Sequence, residues 1–314
     1  MTSVSQLAAA AILCATALLT ESVVGQQAAS PVQDPAPVFR ASADVVSVEA
    51  SVRRERRPVV GLTAADFTLL DNGVPQEISE VSYEKLPIDV TVLLDVSASV
   101  TGPVLDDLRR SLRQLRADLS ARDRLRLITF DMRMRRLVDF ADPPSATDAA
   151  LASIAAAGSS AVFDSLAVAL TAAVPPGRRQ LIVLFSDGQD SSSISDAETL
   201  LDVAKRSTPT VAVVLASASS KQPASLLRSA SRPGSLTVGN LADQIASDTG
   251  GFVVGVTPGD NLSSTFRRVL ELFRTSYVLY FTPRGVERPG NHTLQVRVKD
   301  AKVEVRARRG YIWR

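Results

Sequence analysis

Apolar and polar positions change their spacing twice along this chain of 314 residues. Residues 44–53 (DVVSVEASVR) alternate loosely. Residues 66–70 and 77–83 alternate on either side of Asp71-Asn72-Gly73, a strong hairpin-turn signal. This is a small β region. From Ile88 the pattern becomes strands between helices. Residues 88–94 read as a buried strand, and Leu105, Leu108, Leu112, Leu115 and Leu119 give residues 104–119 helical spacing. Strands are expected at 124–130 and 135–140, then helices at 146–156 and 164–174. A buried strand at 180–186, a helix at 195–206 and a strand at 210–215 follow. A helix at 241–249 is closed by Gly250-Gly251, with a short strand at 252–254 and a last helix at 260–275. Alternation returns in 276–282, 292–299 and 302–308. The fold class implied is α/β: a doubly wound, mostly parallel sheet with helices on both faces. The β segments at the two ends either meet as one discontinuous β subdomain or stand as separate extensions.

The first residues carry a different signal. Residues 7–19 are a short Ala- and Leu-rich run of signal-core length, too short to span a bilayer comfortably. Val23-Val24-Gly25 supplies small residues before a cut, although residues 1–6 contain no Lys or Arg. Residues 1–25 thus read as an export signal, and residues 26–38 (QQAASPVQDPAPV) as a flexible leader. The organisation expected beyond them is an N-terminal β region at 39–87, an α/β domain at 88–275 and a C-terminal β region at 276–314. Cys14, the single cysteine, lies inside the signal, so the mature chain has no disulfide and is stabilised by its core. Localisation is then periplasmic or extracellular, with no membrane span in the mature chain.

Composition narrows the classes. Hydrophobic residues are 45% and charged residues 22%, which suits a packed protein. A net charge of +2 gives no electrostatic case for nucleic acid, and 5% aromatics weakens any base-stacking case.

Candidate chemistry begins at Asp95-Val96-Ser97-Ala98-Ser99, directly after the apolar strand. In extended chain alternate residues point the same way, so Asp95, Ser97 and Ser99 aim three oxygens at one point. Hard oxygen ligands with one carboxylate suit Mg²⁺, which keeps open positions. Two further pieces follow: the polar loop Gly158-Ser159-Ser160 before a helix, and Ser186-Asp187-Gly188 after the strand QLIVLF. In a doubly wound sheet the strands before Asp95 and Asp187 flank the switch point, where a crevice opens at their carboxyl ends. Taken singly, each piece also reads as a turn or helix cap.

The three pieces in order resemble the von Willebrand factor type A domain and its metal-ion-dependent adhesion site. The resemblance implies Asp95, Ser97, Ser99 and Asp187 as ligands of Mg²⁺ or Mn²⁺, some through water. The family's Thr falls on Ser160, which keeps the hydroxyl but lacks the methyl that stiffens the rotamer. The flanks, with Val59–Gln76, Tyr277–Pro283 and Val305–Tyr311, look like those of the acidobacterial-type subfamily of exported relatives. What this implies is a non-enzymatic module that captures a carboxylate of a protein partner through the ion. The alternatives are an envelope scaffold with a weak or vestigial metal site, and a metal-assisted hydrolase with Asp131 or Asp190 as base.

Other polar residues have plainer readings. Asp131, Asp164 and Asp190 lie near the same sheet edge as outer-shell candidates or as loop caps. Arg53-Arg54-Glu55-Arg56-Arg57 reads as a solvated hairpin tip, and Arg133, Arg135 and Arg136 as the exposed face of an edge strand. His292, the only histidine, has no acid–base companion nearby in sequence and reads as structural or exposed. A Ser–His–Asp triad, a Cys–His pair and a zinc site all lack parts, and neither a phosphate loop nor a convincing dinucleotide fingerprint is present.

Overall fold

The structure is a computed structural model that describes residues 45–97, 102–173, 175–216 and 238–313. The expected signal and leader, and Ser99 of the expected ligand set, lie outside the described residues. In chain order the strands are β1 (Val46–Arg54), β2 (Arg57–Pro58), β3 (Phe67–Asp71), β4 (Val74–Gln76), β5 (Ile78–Tyr83) and β6 (Ile88–Asp95). Helix α1 (Pro103–Asp118), β7 (Arg124–Phe130), β8 (Met134–Val138), α2 (Ala146–Ser153) and α3 (Val162–Leu170) follow. Next come β9 (Arg179–Ser186), α4 (Ala197–Arg206), β10 (Thr210–Ala216), α5 (Val238–Thr249), β11 (Phe252–Val256) and α6 (Leu262–Arg274). The chain continues through β12 (Tyr277–Phe281), β13 (Gly290–Val298), β14 (Glu304–Ala307) and β15 (Gly310–Trp313).

Six strands form one sheet in the order β11-β10-β9-β6-β7-β8. Its pairings are parallel except at the edge, where β8 runs antiparallel to β7. β6 is buried at every position because both faces are covered. Val90, Val92 and Leu94 pack on one face, with Leu108 and Leu112 of α1 and Phe266 and Phe273 of α6. Leu93 packs on the other, with Val162 and Leu166 of α3, Leu200 of α4 and Ile245 of α5. The leucine spacing of α1 is what buries it, since one residue every third or fourth faces the sheet. Each fully buried Leu or Phe contributes about 1.5–3 kcal/mol.

The expectation of a mostly parallel architecture applies to this sheet and not to the whole. Eight of the twelve pairings among the described residues are antiparallel, seven of them outside this sheet. β14-β1-β12-β5, with β2 beside β1, makes one antiparallel sheet, and β15-β13-β3-β4 makes another. Strands from the two ends of the chain therefore interleave: β1 lies between β12 and β14, and β3 pairs with β13. The two sheets share cores in which Phe67 meets Tyr277 and Leu69 meets Phe281.

The hairpin at Asn72-Gly73 differs from expectation in one arm. Both residues have positive φ, 48° and 81°, as a tight two-residue turn requires. Its second arm is the short β4, and the chain then leaves this sheet so that β5 pairs with β12 in the other. At Gly251 the close approach is of another kind: a side chain there would press on the Val211 carbonyl, 1.8 Å from an added Cβ.

Candidate metal centre

Asp95 ends β6, and its partner across β9 follows from the register. Leu94 pairs with Phe185, so Asp95 and Ser186 are the next neighbours at the carboxyl ends of two adjacent parallel strands. Both side chains fall on the face covered by α3, by the same two-residue period that places Leu93 and Leu184 there. Ser186 Oγ donates to Asp95 Oδ2 at 2.8 Å and accepts the Gly188 N–H at 3.0 Å.

The loop before α3 brings the third piece. The Ala157 N–H donates to the Val96 carbonyl and the Ala161 N–H to the Asp131 carbonyl, both at 2.9 Å, which lays the loop over the ends of β6 and β7. Ser160 Oγ then donates to Asp95 at 3.0 Å from Oδ1 and 3.1 Å from Oδ2. The Ser97 N–H completes the set, donating to Asp95 Oδ1 at 2.9 Å. Asp95 and Ser186 have no exposed surface, while Ser97 and Ser160 are nearly as buried and Asp187 is half-buried.

Burial pushes the Asp95 carboxyl above its ordinary value, and the neighbouring Asp187 carboxylate pushes the same way, against the donors on Ser97 and Ser186. A desolvated carboxylate beside a second one, ringed by hydroxyl oxygens, matches the hard donors of a small divalent cation. Among the described residues no group of three or more His, Cys, Asp or Glu is placed to hold a metal. Hydroxyls would therefore have to supply the rest of any shell here.

The structure thus gathers Asp95, Ser97, Ser160 and Ser186, with the Asp187 charge close by. Ser186 is absent from the ligand set inferred from sequence. Its signal was its place as the last residue of the strand beside Asp95. The outer carboxylates are engaged elsewhere. Asp131 accepts the Arg133 N–H at 2.7 Å and Arg135 Nη1 at 2.8 Å. Burial pushes its carboxyl up, but those donors outweigh burial and hold it below the ordinary range. Asp190 accepts backbone N–H groups of Phe163, Ser192 and Ser193, and Asp164 those of Ile194 and Ser195. These two carboxylates fasten the loop after β9 onto α3. The same loop meets Ser160 through the Ser191 and Ser192 N–H groups, which donate to its carbonyl.

His292 is buried, not exposed. Its Nδ1 lies 2.8 Å from Asp71 Oδ1, and Tyr311 Oη donates to Asp71 Oδ2 at 2.7 Å. Asp71 comes from the other end of the chain, so this network ties β3 to β13 and β15.

The von Willebrand factor type A domain model matches residues 89–257. The chain belongs to that family. Solved structures similar to the chain are of low identity. A von Willebrand factor type A protein from Catenulispora acidiphila is 13% identical, with 88% of this chain and 75% of that one covered and a TM-score of 0.46. An aerotolerance-related membrane protein from Bacteroides fragilis is 18% identical over 59% of this chain and 98% of that one, with a TM-score of 0.45. The type V pilus tip protein Mfa5 of Porphyromonas gingivalis is 20% identical in its von Willebrand domain, over 33% and 39%, with a TM-score of 0.30. No curated protein matches the chain. Domains of this family are typically protein-interaction modules. No helix among the described residues is long and apolar enough to cross a membrane.

Proposed function

We propose that this protein is an exported binding module of the acidobacterial-type subfamily. Its α/β domain, read as doubly wound, holds Mg²⁺ or Mn²⁺ with Asp95, Ser97, Ser99, Ser160 and Asp187, and presents the ion to a carboxylate of a protein partner. The observation that carries this reading is the convergence of Ser97, Ser160 and Ser186 on the buried Asp95, with Asp187 beside it. The ion would serve recognition: two carboxylates leave it little net charge, and a third, from the partner, completes its shell. Export, to the periplasm or beyond, rests on the apolar run at residues 7–19. The reading is non-enzymatic; the oxygens of Asp131 and Asp190 are already taken by arginine and backbone donors, which leaves neither as a ready base.

One observation favours the second reading, an envelope scaffold with a vestigial site. Ser97, Ser160 and Ser186 donate to both oxygens of Asp95 and so hold the carboxylate by themselves. Affinity capture from the cell envelope separates the two, using wild type and Asp95→Ala, each with and without chelator. The binding module loses its partner in Asp95→Ala and on chelation. Capture that survives both but disappears on deletion of residues 39–87 supports the scaffold.

A further inference from the structure

A cavity of about 680 Å³ lies between the β1–β2 hairpin and β14 on one side and β11 and α6 on the other. That volume is typical of a small-molecule site. Arg53, Arg56, Arg57, Arg268 and Arg306 line it. Glu49, Glu271 and Glu304 do so as well, but Glu49 is already held by Arg179 at 3.0 Å and by Thr210 at 3.1 Å.

The arginines are short of anions. Arg53 is half-buried, and its guanidinium donates to neutral oxygens only: Ser51 Oγ, the Arg56 carbonyl and Thr275 Oγ1, each at 3.1 Å, and the Leu272 carbonyl at 3.5 Å. Arg268 makes no ion pair among the described residues, and Arg306 meets only Glu304, at 3.3 Å on the surface. Burial, then the charges of Arg268 and Arg306, push the Arg53 guanidinium below its ordinary value. The hairpin that carries Arg53 is also strained, with two non-glycine residues, Glu55 and Arg56, at φ 49° and 70°. Such strain collects at ligand clamps. Phe252, Val254 and Leu272 give the cavity an apolar wall.

We propose that this cavity binds a soluble phosphate ester, with its dianionic head among Arg53, Arg268 and Arg306 and its organic body against Phe252 and Leu272. Three mutually repelling guanidiniums favour an anion that concentrates two charges on one centre, with several oxygens for their forks, over a single carboxylate. The recess between two layers of the protein suits a soluble ligand better than a headgroup in a membrane plane.

Isothermal titration of phenyl phosphate into the full chain tests this, in EDTA so that the candidate metal centre does not contribute. One site per chain is expected. Affinity should fall by roughly tenfold or more in Arg268→Gln, and likewise in Arg53→Gln. Benzoate should bind at least about tenfold more weakly than phenyl phosphate. Arg268 is exposed and unbonded, so Arg268→Gln keeps the fold, which circular dichroism checks. Arg110→Gln, on α1 and outside the cavity lining, should bind like wild type. No saturable binding of phenyl phosphate, equal affinity in Arg268→Gln and wild type, or benzoate binding as tightly as the phosphate overturns the proposal.

Discussion

Ser186 Oγ donates to Asp95 Oδ2 over 2.8 Å and so joins the ends of β9 and β6 at the centre of the parallel sheet. The same oxygen accepts the Gly188 N–H, which sets the turn that carries Asp187. One buried hydroxyl thus holds one carboxylate directly and the backbone turn that carries the other. Ser186→Ala leaves an Asp95 oxygen and a backbone N–H without this partner, at a cost of about 1–3 kcal/mol. Urea unfolding should show that loss, and Mg²⁺ affinity should weaken with it. Unchanged stability would mean that neighbouring groups repack around the gap.

Asp95→Asn separates charge from shape. The amide removes a buried charge that stands beside Asp187 and keeps much of the hydrogen bonding. In chelator the variant should melt no lower than wild type. On adding Mg²⁺ at about one hundred times its dissociation constant, wild type gains about 2.7 kcal/mol and the variant gains nothing. Thermal melts of both proteins, with EDTA and with Mg²⁺, read the difference.

At the opposite end of β6, Asp89 is fully buried between Arg124, at 2.5 Å, and Arg178, at 2.6 Å. Burial pushes its carboxyl up, but the two arginines outweigh burial and hold it below the ordinary carboxylate value. A depressed carboxyl stabilises the fold above its unfolded-state value, and that stability is lost as pH falls through the lower folded-state value. Wild type should lose stability steeply below about pH 4. Asp89→Asn should be less stable near neutrality by about 3 kcal/mol and show a flatter acid limb. Chemical denaturation across the acid range checks both.

Tyr311 and His292 share Asp71, whose carboxylate has no exposed surface. Tyr311→Phe removes one donor and leaves a buried carboxylate oxygen short, costing about 1–3 kcal/mol. Hydrogen exchange should accelerate together in β3, β13 and β15. Acceleration confined to β15 would show that the network does not couple the two ends of the chain.

Much of the α/β domain was legible because its signal is local. The largely apolar run of β6, the leucine spacing of α1 and the Gly250-Gly251 stop after α5 are each written within a few residues. The β flanks were legible as strands but not as partners. Period-two alternation says that a strand has two faces, and it says nothing about which distant strand lies beside it. Hence local alternation joins β5 to the Asn72-Gly73 hairpin although it pairs with β12, and it gives no sign that Asp71, 221 positions away, is the partner of His292. β15 escaped because Gly310–Trp313 is too short to show alternation. At the site, Asp95, Ser97, Ser160 and Asp187 were named by motif, whereas Ser186 was visible only once the register of β6 on β9 was known.

The most direct test is isothermal titration of Mg²⁺, and then Mn²⁺, into the chelator-treated full chain, with Asp95→Ala and Asp187→Ala alongside. One ion taken up per wild-type chain, and none by either folded variant, is the result expected of a metal-dependent binding module. A folded wild type that takes up no ion, or an Asp95→Ala variant that takes up as much as wild type, contradicts it.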